Sequence, residues 1–238
     1  MNNISKRPIE ENAYNGFSIR ARANVHSMIL DMIDTLPIST DSLVIDMGAG
    51  EGSFCLRLQD AGYTSLEACE IVPQRFQLPS ILCHAVDLNT INFDRLFTEK
   101  YSLVIAVELI EHLENPANFF RSVFNVLQPG GYLIVTTPNV SSWYSRILSL
   151  RTGQLHWFDE TSCIIDGHIS PLFSWQIKYF CESSGLQIVE QQNTKGFFLR
   201  QRYLQGTLRT RFLYWGLKHF MQGSFCGEIC LWIAHRRK

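Results

Sequence analysis

A chain of 238 residues, 46% hydrophobic and 18% charged, suits one soluble α/β domain with elaborations and excludes disordered and fibrous classes. The start Met1-Asn2-Asn3-Ile4-Ser5-Lys6 has no apolar signal segment, and no run reaches the roughly 18 apolar residues of a spanning helix, so a cytoplasmic protein is expected. The net charge of −1 hides a split: residues 1–194 hold 21 acidic and 12 basic side chains, whereas residues 195–238 hold one acidic and nine basic. The C-terminal part is therefore expected to meet something anionic.

Residues 1–24 are polar and read as an arm or lid, in which Tyr14 and Phe17 could close over a site. Apolar residues at 25, 28, 29, 32, 33 and 36 predict a helix from Val25 to Leu36, with His26 solvated in its first turn. Ser42-Leu43-Val44-Ile45 has the character of a buried parallel strand. It runs into Asp46-Met47-Gly48-Ala49-Gly50-Glu51-Gly52 and then a helix with Phe54, Leu58 and Ala61 on one face. Strand, glycine turn and helix present backbone N–H groups to a ligand, and glycine is needed where a Cβ would block positive φ or hold the ligand away. The spacing is not the dinucleotide fingerprint G-x-G-x-x-G, because Ser53 stands where the third glycine should be.

Further strands are predicted at 65–71, ending near Glu70, at 81–86, leading to Asp87-Leu88, and at 101–107. Pro116 to Leu127 reads as a helix with Phe119, Phe120, Val123, Phe124 and Leu127 facing inward, stopped by Pro129-Gly130-Gly131 before a fifth strand at 132–137. An insertion up to His168 would overhang the cleft, and Trp143, Trp157 and Phe158 could line an acceptor pocket. A helix at 173–184, a strand at 186–189 and an antiparallel last strand from Glu228 to Ala234 complete the pattern. The expected architecture is a doubly wound, mostly parallel seven-stranded α/β sheet with an inserted cap, its ligand beyond the strand carboxyl ends where Asp46, Glu70, Asp87 and Glu108 fall. One domain is expected, with a core at 25–194, a basic-aromatic cap insertion at 195–227 and the last strand and tail at 228–238. Seven cysteines without a C-x-x-C pair read as reduced thiols.

Asp46 and the three alternating glycines resemble the first motif, acid-x-Gly-x-Gly-x-Gly, of the class I S-adenosylmethionine (SAM) dependent methyltransferases, which have a Rossmann-like fold. The resemblance implies SAM as cofactor, with Asp46, Gly48, Gly50 and Gly52 forming its loop and Glu70 taking the ribose hydroxyls. It also places Asp87 and Leu88 at the adenine and Glu108 at the methionine end. Glu108-Leu109-Ile110-Glu111-His112 is similar to the E-x-x-E-H signature of ubiquinone-biosynthesis O-methyltransferases, which small-RNA 2′-O-methyltransferases share. In one helical turn Glu108, Glu111 and His112 would converge. In the RNA enzymes these three and a later His, here His168, hold a divalent cation.

Either His168 or His112 suits the proton removal that methylation of a hydroxyl needs. The expected reaction is methyl transfer to oxygen of a small or lipid-linked acceptor, such as a quinone precursor or glycan intermediate. Rival readings are a metal-dependent RNA 2′-O-methyltransferase, a SAM-binding partner or regulatory protein without turnover, and a nicotinamide enzyme. The acidic residues 1–194 argue against a nucleic-acid partner. Basic residues interleaved with aromatics over 197–221 fit a peripheral membrane contact or a groove for a lipid-linked substrate.

Overall fold

The computed structural model describes residues 12–22, 24–90, 92–194, 215–216 and 226–237. Its sheet contains β1 (Val44–Met47), β2 (Leu66–Glu70), β3 (Leu82–Ala85), β4 (Tyr101–Ala106), β5 (Leu127–Pro138), β6 (Leu186–Asn193) and β7 (Ile229–Arg236), in the spatial order β3-β2-β1-β4-β5-β7-β6. The first five strands run parallel, and β7 is antiparallel to both of its neighbours. Strand order reverses between β1 and β4, which opens a crevice at their carboxyl ends.

Alternation along β4 shows how the core is shared. Leu103 and Ile105 pack under α1 (Val25–Ile33) and α2 (Ser53–Asp60), among Val25, Ile29, Phe54 and Leu58. Val104 and Ala106 point the other way, toward α3 (Pro116–Val126) and α6 (Ser174–Ser184), among Phe119, Phe120, Val123 and Ile177. A period of two within the strand, against helical stripes on both sides, makes the three-layer sandwich. Asn115 caps α3 by accepting from the Asn118 N–H at 3.0 Å, and Pro116 follows at the position where a missing N–H costs nothing.

The structure revises several boundaries. Helix α1 ends at Ile33 rather than Leu36. Pro129-Gly130-Gly131 lies inside β5 instead of ahead of it, at a shift of register between Tyr101 and Leu103. A Cβ on Gly131 would stand 2.9 Å from the Tyr101 carbonyl oxygen, so glycine is required where the bulged strand passes its neighbour. Strand β6 continues through polar Gln191, Gln192 and Asn193, because an edge strand needs only one apolar face.

Between β5 and α6 the insertion forms α4 (Trp143–Thr152) and α5 (Glu160–Ile165). Before α1, a two-residue hairpin (Ala13–Tyr14 with Phe17–Ser18) is strapped to α2: the Tyr14 hydroxyl donates to Asp60 at 2.6 Å and the Arg57 guanidinium lies 3.9 Å over the Tyr14 ring. Most of the cap insertion 195–227, including all but residues 215–216 of the segment expected to touch a membrane, lies outside the described residues. Among the described residues no helix is long and apolar enough to cross a membrane.

Candidate functional site

A cleft of about 660 Å³ opens over the carboxyl ends of β1, β2 and β4, a volume that suits a nucleoside-sized ligand. Asp46, Gly48, Gly50, Glu70, Asp87, Leu88, Glu108, His112 and His168 all line it. Two of the expected site residues do not.

Gly52 begins α2 at φ 98°, and a Cβ there would meet Leu78 and Phe76 at 3.0 Å. Its glycine is demanded by packing behind the loop, not by a ligand. Glu111 is wholly buried beneath the floor. The loop also works differently from the sequence expectation. The Gly48 and Ala49 N–H groups donate to the Cys69 carbonyl (2.9 and 3.1 Å), tying the turn to β2 rather than facing a ligand. Gly50, at φ 57°, is the open position: nothing stands within 4 Å of where its Cβ would be.

Glu70 is buried at the tip of β2, where its two oxygens accept from the Gly50 N–H (3.0 Å) and the Val72 N–H (3.2 Å). Each carboxylate oxygen keeps a second lone pair, which fits a pair of ribose hydroxyls. Asp87 accepts from the Asn89 N–H at 2.9 Å, bending the chain after β3 toward the same space.

Asp46 and Glu108 form the negative half of the cleft. Burial pushes the Asp46 carboxyl up to about 7, with the nearby Glu70 adding to it and the Cys55 thiol, which donates at 3.4 Å, acting the other way. Burial likewise lifts Glu108 to about 7, against the pull of the Arg22 N–H donated at 3.3 Å. Glu108 also has φ 46°, rare outside glycine, and such strain gathers at binding sites. The left-handed turn at Glu108 interrupts the helical geometry expected for Glu108 to His112. Only Ile110–His112 makes a 3-10 turn, and the Glu108 carboxylate stays out of the cluster of donor atoms that Glu111, His112 and His168 form, although its charge reaches Glu111 and its backbone the His112 ring.

Two groups that hold their protons in the fold to about 7 have a measurable consequence. The unfolded carboxyls release theirs near 4, so between about pH 4 and pH 7 the folded state binds more protons and stability falls as pH rises. Glu111 acts in the same direction, whereas the depressed His26 and His156 act oppositely. Comparing Asp46→Asn with the parent isolates one carboxyl. Its urea denaturation should show a shallower decline between pH 5 and pH 7, and parallel profiles would refute the assignment.

On the far side, Glu111, His112 and His168 place one donor atom each within 4.8 Å of one another. His112 Nδ1 lies 3.2 Å from the Gly167 carbonyl and His168 Nδ1 lies 2.8 Å from the Trp157 carbonyl. A carbonyl only accepts, so in the neutral rings the proton sits on Nδ1 at each of these contacts; for His168 this leaves the Nε2 lone pair available, whereas the His112 ring also meets the Glu108 backbone. The rings meet edge to face at 4.8 Å, and Phe158 packs on His168 at 5.5 Å. Burial and the neighbouring His168 hold the His112 pKa below its ordinary value. Neither Glu111 oxygen nor the Thr137 hydroxyl has a hydrogen-bond partner among the described residues. Burial, with Glu108 adding, drives the Glu111 carboxyl well above the usual range, opposed weakly by the Thr137 hydroxyl close by.

Some lining residues carry no local sequence signal. Arg22 reaches the cleft from the hairpin side and stacks 3.7 Å over Trp157, which has φ 69°. Ser18 donates its N–H to Glu51 at 2.8 Å and closes the cleft beside the glycine turn. His26, expected in solvent, is 3% exposed and lines the cleft. Of the expected acceptor-pocket aromatics, Trp157 lines the cleft, Phe158 supports His168, and Trp143 packs on Tyr144 away from the lining.

A doubly wound sheet ordered β3-β2-β1-β4-β5-β7-β6, with a glycine turn after β1 and an acid at the tip of β2, defines the class I SAM-dependent methyltransferases. A family model for a methyltransferase domain matches residues 21–191, and the chain belongs to that family. Over 124 residues it is 26% identical to a ubiquinone biosynthesis O-methyltransferase of Pseudomonas fluorescens (strain SBW25), a match covering 49% of this chain and 53% of that protein. The chain spans about half the length of the curated relatives it matches.

A SAM-dependent methyltransferase from Archaeoglobus fulgidus superposes with a TM-score of 0.64 at 17% identity, over 89% of this chain and 92% of that one. The [4+2]-cyclase SpnF superposes at 0.57 with 12% identity, over 89% and 81%. The fold is therefore shared beyond one reaction, and the chemistry must be argued from the site.

The residues fit SAM, the cofactor that membership implies. The open Gly50 position leaves room at the turn, buried Glu70 offers two acceptor oxygens, and buried Asp46 and half-buried Glu108 face a space where a positive ligand would restore their ionised forms.

Proposed function

We propose that this chain transfers a methyl group from SAM to a hydroxyl oxygen of a small or lipid-linked acceptor. Bound SAM supplies an activated methyl on a sulfonium, so the protein's tasks are to align the acceptor and to take its proton. The observation that carries the reading is the fixed tautomer of His168. Its Nδ1–H is committed to the Trp157 carbonyl at 2.8 Å, which leaves Nε2 as a base at the wall of the cleft. His112 stands against it with the same tautomer and a depressed pKa, and so does not compete for the proton. Trp157, under Arg22, forms part of the cleft wall beside His168. The name of the Pseudomonas fluorescens relative favours oxygen as the atom methylated, and the basic-aromatic stretch 197–221 suits a membrane-borne acceptor.

Screening fractionated cell extracts for S-adenosylhomocysteine release tests this directly. Release with a phenolic or lipid fraction is expected. SAM binding with no release from any fraction would favour a binding protein instead.

The same trio supports a second reading, in which Glu111, His112 and His168 hold a divalent cation. Two imidazoles anchored through Nδ1 by backbone carbonyls, beside a buried carboxylate with no partner, are the ligand and support pattern of a metal site. The imidazole-rich set suits a transition ion better than Mg²⁺. Calorimetric titration of the metal-stripped protein with Mn²⁺ or Zn²⁺ should give one site, lost in Glu111→Gln. No heat from the parent protein would leave the trio as base and support alone.

A further inference from the structure

The methionine end of SAM is a zwitterion, and its positive amino group has Asp46 and Glu108 to meet. Its carboxylate needs a donor in the same half of the cleft. Helix α1 rests on β1 and β4 through Val25 and Ile29 against Val44 and Ile105, so its first turn stands beside the tips that carry Asp46 and Glu108. From that turn His26 reaches the lining of the cleft.

The imidazole is 3% exposed, packs edge to face on Phe54 at 4.9 Å, and forms no hydrogen bond among the described residues; its Nδ1 is sealed from solvent, so Nε2 is the nitrogen that can meet a ligand in the cleft. Burial and the nearby Arg57 guanidinium hold its pKa down to about 3, so the ring is neutral and offers one N–H. It lies in the first turn of a nine-residue helix, whose positive end favours an anion. The other basic groups on this side are committed or peripheral. Arg22 is exposed, stacked on Trp157, with Glu108 and Glu228 in its field, and Arg20 is exposed on the rim.

We propose that His26 donates a hydrogen bond to the carboxylate of SAM and so selects a cofactor with an intact amino-acid tail. The assignment rests on the SAM reading above and names a binding contact within it.

The test uses calorimetry on the full chain with two ligands, SAM and decarboxylated SAM, which lacks only the carboxylate. Loss of a hydrogen bond to a charged group predicts SAM binding about 10- to 100-fold weaker in His26→Ala. Binding of the decarboxylated ligand should change by less than about threefold, since the contact is absent from the start. His26→Gln, which keeps a side-chain N–H, should recover part of the loss. Equal weakening for both ligands would make His26 a packing residue, and unchanged SAM affinity would place the carboxylate elsewhere. Either result overturns the inference while sparing the SAM reading. No heat from the parent protein with SAM would overturn both.

Discussion

Gly50→Val is expected to abolish SAM binding while leaving the fold intact. Gly50 sits at φ 57°, where a β-branched residue is strained, and its Cβ direction is open, toward the space a ligand would fill. Strain alone costs about 1–2 kcal/mol, which a packed three-layer domain tolerates. The larger effect is steric, because the added methyl groups occupy the cleft beside the Gly50 N–H that Glu70 holds at 3.0 Å. An affinity loss above about 100-fold is anticipated, equivalent to about 2.7 kcal/mol. Calorimetry would read it, with circular dichroism to confirm folding. Unchanged affinity in a folded variant would remove the loop from the binding site.

His168→Ala is expected to give the largest kinetic effect, a fall in kcat of about 10²- to 10⁴-fold, the usual contribution of a positioned general base. The KM for SAM should stay within about threefold, because the imidazole is held by Trp157, His112 and Phe158, outside the glycine turn. His112→Ala offers the contrast. Its pKa is depressed, so its loss should lower kcat less unless the trio holds a metal. Rates would be followed as S-adenosylhomocysteine release with the acceptor found in the extract screen. Full activity in His168→Ala would end its role as base.

Much of the site was legible because its signals are local. Asp46, Gly48 and Gly50 belong to one strand–turn–helix unit, and Glu70 and Asp87 fall at the ends of recognisable apolar runs. Parallel strands bring such ends to one edge whatever the loops do. The glycine triplet nevertheless mixes two purposes. Gly50 opens toward the ligand space, whereas Gly52 accommodates Phe76 and Leu78, which lie more than twenty residues onward. Spacing alone does not separate a glycine needed by a ligand from one needed by a neighbour.

The acidic–histidine stretch shows the same boundary more sharply. Helical spacing joined Glu108 to Glu111 and His112, but the chain turns left-handed at Glu108 and hands that acid to the cleft beside Arg22. Glu111 then meets His168 only because the insertion returns: the Ile169 and Ser170 N–H groups donate to the Glu111 carbonyl at 3.0 and 2.9 Å. The tautomer of His168 depends on a Trp157 carbonyl eleven residues away. Neither dependence has a period or a motif.

The amino-acid sequence by itself determined the layer order, the glycine turn and the row of strand-tip acids, because alternation within strands and turns rich in glycine act over a few residues at a time. Only the tertiary structure decided that His26 is buried, that Arg22 caps Trp157, and that two imidazoles share one tautomer beside an unpartnered carboxylate. Those outcomes come from segments distant along the chain competing for the same enclosed space, where burial, and not residue type, sets which polar group is left awaiting a ligand.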